Sequence, residues 1–157
     1  MQKIDNPFAP ILKHNEQMNK DLNRFLKAQE NDYNIALTEI KLGRKGSHWM
    51  WYIFPQIEGL GFSETSKYYA IKNIDEAKKY LNHPILGIRL REISRELLKL
   101  KETNAYAIFG SPDDLKLKSS MTLFAQVEEL PENIFEKVID KYYDGCFDKK
   151  TLQLLNN

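Results

Sequence analysis

Ser47-His48-Trp49-Met50-Trp51-Tyr52-Ile53-Phe54-Pro55-Gln56 is the densest aromatic stretch in the chain, and its reading decides whether the fold is purely helical. As a strand it would place Trp49, Trp51 and Ile53 on one face. As a helical turn it would put His48 and Tyr52 on one face instead. Periodicity leaves both open. Phe54 is extended in either case because it precedes Pro55. Beyond it, Glu58 to Thr65, with Gly59 and Gly61, reads as a loop, and Lys67 to Ile71 fits a short strand.

The flanks are helical. On the N-terminal side, Leu22, Phe25, Leu26, Tyr33, Leu37 and Ile40 recur at helical intervals, with Arg24, Lys27, Glu30 and Glu39 between them. Asn31-Asp32 offers a cap at which this helix divides in two, and Gly43 and Gly46 end the pattern. Met1 to Asn19 holds two prolines and no sustained period, so residues 1–20 read as an N-terminal arm and residues 21–157 as a single globular domain. On the C-terminal side, Asp75 to Leu81 is a short helix. Pro84 opens the most secure element, in which Leu86, Leu90, Ile93, Leu97 and Leu100 alternate spacings of four and three. Ala105 to Phe109 reads as a short strand or a buried connection. Gly110-Ser111-Pro112-Asp113-Asp114 reads as a cap, a first-turn proline and two carboxylates at the positive end of a helix dipole. Leu117, Met121, Phe124 and Val127 form that helix's inward stripe, and a last major helix opens at Pro131. The expected fold class is mainly α: a compact, single-domain helical bundle with room for one short β-hairpin.

Composition narrows the function classes. The chain has 157 residues, 42% hydrophobic, 29% charged and 11% aromatic, which excludes a disordered or collagen-like protein. A domain of this size buries about 70% of its unfolded surface and needs no staples. Lys+Arg 23 against Asp+Glu 22 leaves a net charge of +1, so no global field recruits nucleic acid or an anionic membrane. One cysteine, Cys146, excludes an internal disulfide and a cysteine-based zinc cluster. No apolar run is long enough to span a membrane, and the N-terminal residues are too polar for a secretory signal. A cytoplasmic protein is expected, with no metal, no cofactor, no membrane partner and no broad nucleic-acid surface.

The motifs resemble a known family. Lys45, His48-Trp49-Met50-Trp51, Phe54-Pro55-Gln56, Gly59-Leu60-Gly61 and Ser63 are similar to the signature of the bacterial domain of unknown function 1810 family, whose members are often mislabelled calpastatin. Arg24-Phe25, Ala28-Gln29, His83-Pro84, Leu86-Gly87, Phe109-Gly110, Asp113-Asp114 and Ser119-Ser120-Met121-Thr122-Leu123-Phe124 continue the resemblance. It spans about Asp21 to Phe124. It implies a compact, mostly helical bacterial domain and carries no activity with it. The calpastatin label is discarded, because that inhibitor is a disordered repeat protein and this composition belongs to a packed domain.

Candidate chemistry gathers around the aromatic run. A histidine side chain, with a reference pKa of about 6.5, suits acid–base work, which makes His48 a candidate with Asp113 or Asp114 as partner; the plainer reading is a histidine bonded to a carbonyl beside two tryptophans. Trp49, Trp51 and Phe54 can wall a planar ligand or simply fill the core. Gln56, on a rigid extended segment, can read an amide or a base edge. Arg44 and Lys45 between two glycines suit the edge of an anion site, or a solvated helix end. Arg89, next to an apolar stripe, needs an anion: Asp113 or Asp114 within the chain, or a ligand. Arg91 and Arg95 fit a solvated face with Glu92 and Glu96. Lys116, Ser119 and Ser120 put a cation and small hydroxyls at the start of the Asp113 helix, for close packing or for a polar cavity. The leading expectation is a binding domain for a small anionic, nucleotide-like ligand. An enzyme acting on such a ligand through His48 and Asp113 or Asp114 is the second, and a protein interaction module the third. The oligomeric state is left open.

Overall fold

The computed structural model describes residues 9–157, with side chains from Leu22 onward. Nine helices follow in order among the described residues: α1 Ala9–Lys41, α2 Met50–Ile53, α3 Glu64–Tyr69, α4 Ile74–Asn82, α5 Leu86–Lys99, α6 Ala105–Phe109, α7 Asp113–Val127, α8 Ile134–Tyr143 and α9 Lys149–Leu155. The expectation of a mainly helical fold holds. The first part of the expected arm lies outside the described residues, and from Ala9 the backbone already belongs to α1.

α1 does not divide at Asn31-Asp32. It buries Leu22, Phe25, Gln29, Tyr33, Ala36 and Ile40 at spacings of three and four, so one continuous stripe holds it as one helix. Gly43, at φ +77°, then provides the left-handed turn that ends it. The aromatic run holds a helical turn, α2, and no hairpin forms among the described residues. Of the strand expected at Lys67 to Ile71, Lys67 to Tyr69 belong instead to α3, started by Ser63, whose side chain accepts from the Ser66 N–H, and Ala70 ends the helix. What remains of β structure among the described residues is a single parallel bridge between Ile57 and Ile71. Ala105 to Phe109 is also a helix, α6, because Asn104 accepts from the Tyr106 N–H and caps it.

α7 is the central element, packed against α4, α6, α8 and α9. Its expected stripe of Leu117, Met121, Phe124 and Val127 is buried, but so are Ser119, Ser120, Thr122 and Leu123. Surrounded on nearly all sides, the helix has small hydroxyls where a surface helix would have long polar chains. α5 packs against α1, α4 and α8 through the face expected from its periodicity. Arg24 ties α1 to the α3–α4 connection, with Nη2 2.8 Å from Glu76 and 3.0 Å from the Ala70 carbonyl.

Two expected charge placements are corrected. Arg91 does not lie on a solvated face; it makes a two-pronged pair with Glu128, at 2.8 and 3.0 Å, and also donates to the Leu81 carbonyl. Nor does Arg89 pair with Asp113 or Asp114. The packing of α5 on α1 sets it over the Tyr33 ring at 5.0 Å, with one long contact of 3.4 Å to Gln29 Oε1.

Candidate functional site

The loop between α1 and α2 is built on Glu39. Its carboxylate accepts from the Gly46 and Ser47 N–H groups at 2.8 and 2.9 Å, from Ser47 Oγ at 2.6 Å and from Trp49 Nε1 at 2.8 Å. Burial works to raise the Glu39 pKa, but these donors outweigh it and bring it down to about 2. The sequence places Glu39 on a helix between apolar positions; only the loop folding back on it reveals its role. A depressed carboxylate contributes stability above its unfolded pKa and loses it as pH falls through the folded one. The urea midpoint of the wild type is therefore expected to fall more steeply than that of Glu39→Gln between about pH 5 and pH 2, with the two converging at the acid end.

With the loop held, Trp49 and Phe54 turn into the core, at 1% and 0% exposure, and Trp51 stays half-buried at the surface. Lys45 lies along Trp49, its Nζ 5.0 Å from a ring centroid and 2.9 Å from Asp113. Lys116, one turn into α7, reaches the same carboxylate at 3.1 Å and sits 4.2 Å over the Trp51 ring. Burial again opposes ionisation of Asp113, and the bonds from the two lysines prevail and hold it below the usual carboxylate range. Two cations share one anion here, so within this trio one positive charge is left over. An open groove of about 660 Å³ continues past Lys45, lined by Arg44, Tyr106, Phe109 and Gly110.

Trp51 also lines a small cleft, with room for about one water molecule, together with Gln56, the Gly59–Gly61 loop, Ser66, Lys67 and Tyr69. The floor is rigid, since the Gln56 carbonyl accepts from the Ile71 N–H and the Glu58 N–H donates back to Ile71, each at 2.8 Å. Gly61 is required: a Cβ there would lie 2.6 Å from Ser66 Oγ. The Gln56 amide nitrogen is buried without a hydrogen-bond partner among the described residues.

The remaining candidates are dispersed. His48 is exposed, its carbonyl accepts from the Tyr52 hydroxyl at 3.1 Å, and no hydrogen bond or ion pair joins its ring to Asp113 or Asp114. Asp114 accepts from the Leu115 N–H at 2.9 Å. Ser119 donates to the Leu115 carbonyl and Asp148, whereas Ser120 is fully buried and its hydroxyl has no partner among the described residues. Arg89 belongs to a separate polar network between α1, α2, α4 and α5, centred on the buried Gln29. There Gln29 Nε2 donates to the Tyr52 carbonyl at 2.8 Å and to the Tyr80 hydroxyl at 3.0 Å, while the Tyr52 and Tyr33 hydroxyls bond to Asp32 and Glu92. Nothing in the spacing of these polar residues along α1 marks the network. Among the described residues, no group of three or more His, Cys, Asp or Glu is placed to hold a metal ion. No helix there is long and apolar enough to cross a membrane.

Residues 19–155 match the family model described as Protein of unknown function (DUF1810). The chain belongs to this family. The DUF1810 match runs past Phe124, so the C-terminal tail expected to lie outside it is included. The chain is also similar to the conserved hypothetical protein Rv1873 from Mycobacterium tuberculosis, known from a crystal structure. The identity is 43% and the TM-score 0.84, over 87% of this chain and 97% of that one. No curated protein matches the chain.

Proposed function

We propose that this DUF1810 chain is a binding domain for a small anionic, nucleotide-like ligand, seated in the cleft beside Trp51. The observation that carries the reading is the position of Trp51. Its indole lines the cleft while Lys116, which shares the single carboxylate of Asp113 with Lys45, lies over its ring. An aromatic wall, few polar groups and an adjacent cation are the ingredients of a small-molecule site; the cleft itself is small, so a ring would stack on the outer part of Trp51 at its mouth. The exposed Lys67 of the cleft lining, with Lys116 over the Trp51 ring, would supply the charge for a phosphate. An enzyme using Asp113 as proton donor is disfavoured, because two lysines keep that carboxylate ionised.

A thermal-shift panel of nucleotides, dinucleotides and sugar phosphates tests the reading. A ligand at about one hundred times its Kd stabilises by about 2.7 kcal/mol, which raises the Tm by several degrees. Lys116→Ala is expected to weaken a phosphate-bearing hit about tenfold and to reduce its dependence on salt, with less effect on the matching nucleoside. No shift across the whole panel would leave the interaction-module reading in its place.

A further inference from the structure

We propose that His83 is a proton-sensitive latch on the junction between α4 and α5: as a neutral imidazole it caps the first turn of α5, and binding a proton releases the cap.

α4 ends at Asn82 and α5 begins at Leu86, so His83, Pro84 and Ile85 form the whole connection. His83 Nδ1 accepts from the Ile85 N–H at 3.1 Å and from the Leu86 N–H at 3.2 Å. The first N–H groups of a helix have no partner within it and are usually met by Ser, Thr, Asp or Asn. Here an imidazole takes that place. Pro84 lacks an N–H, so no donor is left unmet between His83 and Ile85. The backbone closes the same turn: the Gly87 N–H donates to the His83 carbonyl at 3.1 Å, and the His83 N–H donates to the Tyr80 carbonyl at 3.2 Å. What the cap holds is a close backbone contact. Gly87 has no room for a Cβ against the Leu81 carbonyl, to which Arg91 also donates at 3.1 Å. Freeing the first turn of α5 loosens that contact, and with it the placement of Arg91 toward Glu128.

The cap requires one protonation state. Only a neutral ring with its proton on Nε2 has a lone pair at Nδ1, and an imidazolium sets a third N–H against the two backbone donors. Turning the ring over would face both donors with a carbon. Burial lowers the His83 pKa, in keeping with a ring held neutral. The charged groups of the surrounding helices are engaged elsewhere. On α4, Asp75 and Glu76 lie at the far end, with Glu76 paired to Arg24. On α5, Arg89 lies over the Tyr33 ring, Glu92 accepts from the Tyr33 hydroxyl and Arg91 pairs with Glu128. Asp32 of α1 accepts from the Tyr52 hydroxyl. α7 meets α4 through Phe124 on the Tyr80 ring and has no charged residue after Lys118. Lys78 and Lys79 of α4 make no ion pair among the described residues, and a nearby cation disfavours a proton on the ring. A basic group with a depressed pKa contributes stability above its ordinary value of about 6.5 and loses it as pH falls through the folded one.

The test follows the imidazole resonances of the full chain by long-range proton–nitrogen NMR from about pH 8 to about pH 4.5, beside thermal melts of the wild type and His83→Asn. At neutral pH His83 is expected to carry its proton on Nε2, with Nδ1 as acceptor, and to titrate below about 6.5. Asparagine caps a helix without titrating. As the ring is protonated, the Tm of the wild type is therefore expected to fall by about 2–4 °C relative to His83→Asn, the loss of one cap of ordinary strength. His14 and His48 are present in both proteins and cancel in the comparison. A proton on Nδ1 at neutral pH, a midpoint at or above about 6.5, or parallel Tm profiles for the two proteins overturns the inference. If His83→Asn does not fold, the tautomer and midpoint of the wild type decide it.

Discussion

Replacing Trp49 by alanine is expected to cost about 3–5 kcal/mol, a large part of the stability of a domain this size. The side chain is 1% exposed and packs edge-on against Phe109 at 6.4 Å and obliquely against Phe54 at 6.1 Å. Truncation therefore leaves a cavity enclosed by other rings, which are too large to close it. It also removes one of the donors that hold Glu39 and the cation–π surface beneath Lys45. Trp51→Ala is the matched comparison. Its ring is only half-buried and its main polar neighbour is the Lys116 ammonium, so the expected loss is about 1 kcal/mol. Urea denaturation followed by circular dichroism reads both variants, with the shift taken from the midpoint at constant slope. Equal losses would show that Trp51 is as much a core residue as Trp49, and the cleft would lose its wall.

Gly87→Ala is expected to destabilise by about 3 kcal/mol or more, the upper end of what overpacking costs. In an ordinary second helical position alanine would be favoured over glycine by about 1 kcal/mol. Here a Cβ would lie 2.0 Å from the Leu81 carbonyl oxygen and 2.7 Å from its carbon. Those are backbone atoms near the end of α4, so no side-chain rotation relieves the clash and α4 and α5 must part. Arg91, which donates to the same carbonyl at 3.1 Å, would lose that contact as well. Gly46→Ala provides the control. Its Cβ would meet only the Glu39 carboxylate, at 3.7 Å, which is ordinary contact. Urea midpoints that fall equally for the two variants would mean that the α4–α5 approach is looser than the structure places it.

Much of the fold was readable because helices are local. The alternating spacings of Leu86, Leu90, Ile93 and Leu97 specify a buried face, and that face is buried. Where the reading missed, the deciding contact was distant in sequence. Lys67 to Tyr69 have strand-forming residues, yet the Ser63 cap and the docking of α3 beside α2 make the segment helical. Arg91 resembles any exposed helix cation until Glu128, from beyond the end of α7, meets it. The site divides in the same way. Lys45, Trp51, Gln56, Asp113 and Lys116 are all visible as candidates, but nothing in their spacing tells that Asp113 serves both lysines or that Arg89 lies elsewhere. Glu39 and Gln29 look like ordinary polar helix residues, and only their partners give them roles.

By itself, then, the sequence determined a neutral, mainly helical chain, the apolar faces of its main helices, and an aromatic run flanked by glycines as the place for chemistry. These follow from backbone sterics, side-chain periodicity and composition, which act over a few residues. The tertiary structure alone decided that the run holds a helical turn, which of its rings turn inward, and that the Gln56 amide nitrogen is buried without a partner among the described residues. Those outcomes depend on a carboxylate at Glu39 gathering four donors and on a single bridge between Ile57 and Ile71. Burial and hydrogen bonding are satisfied by the whole packed chain at once, and no local window of residues contains that information.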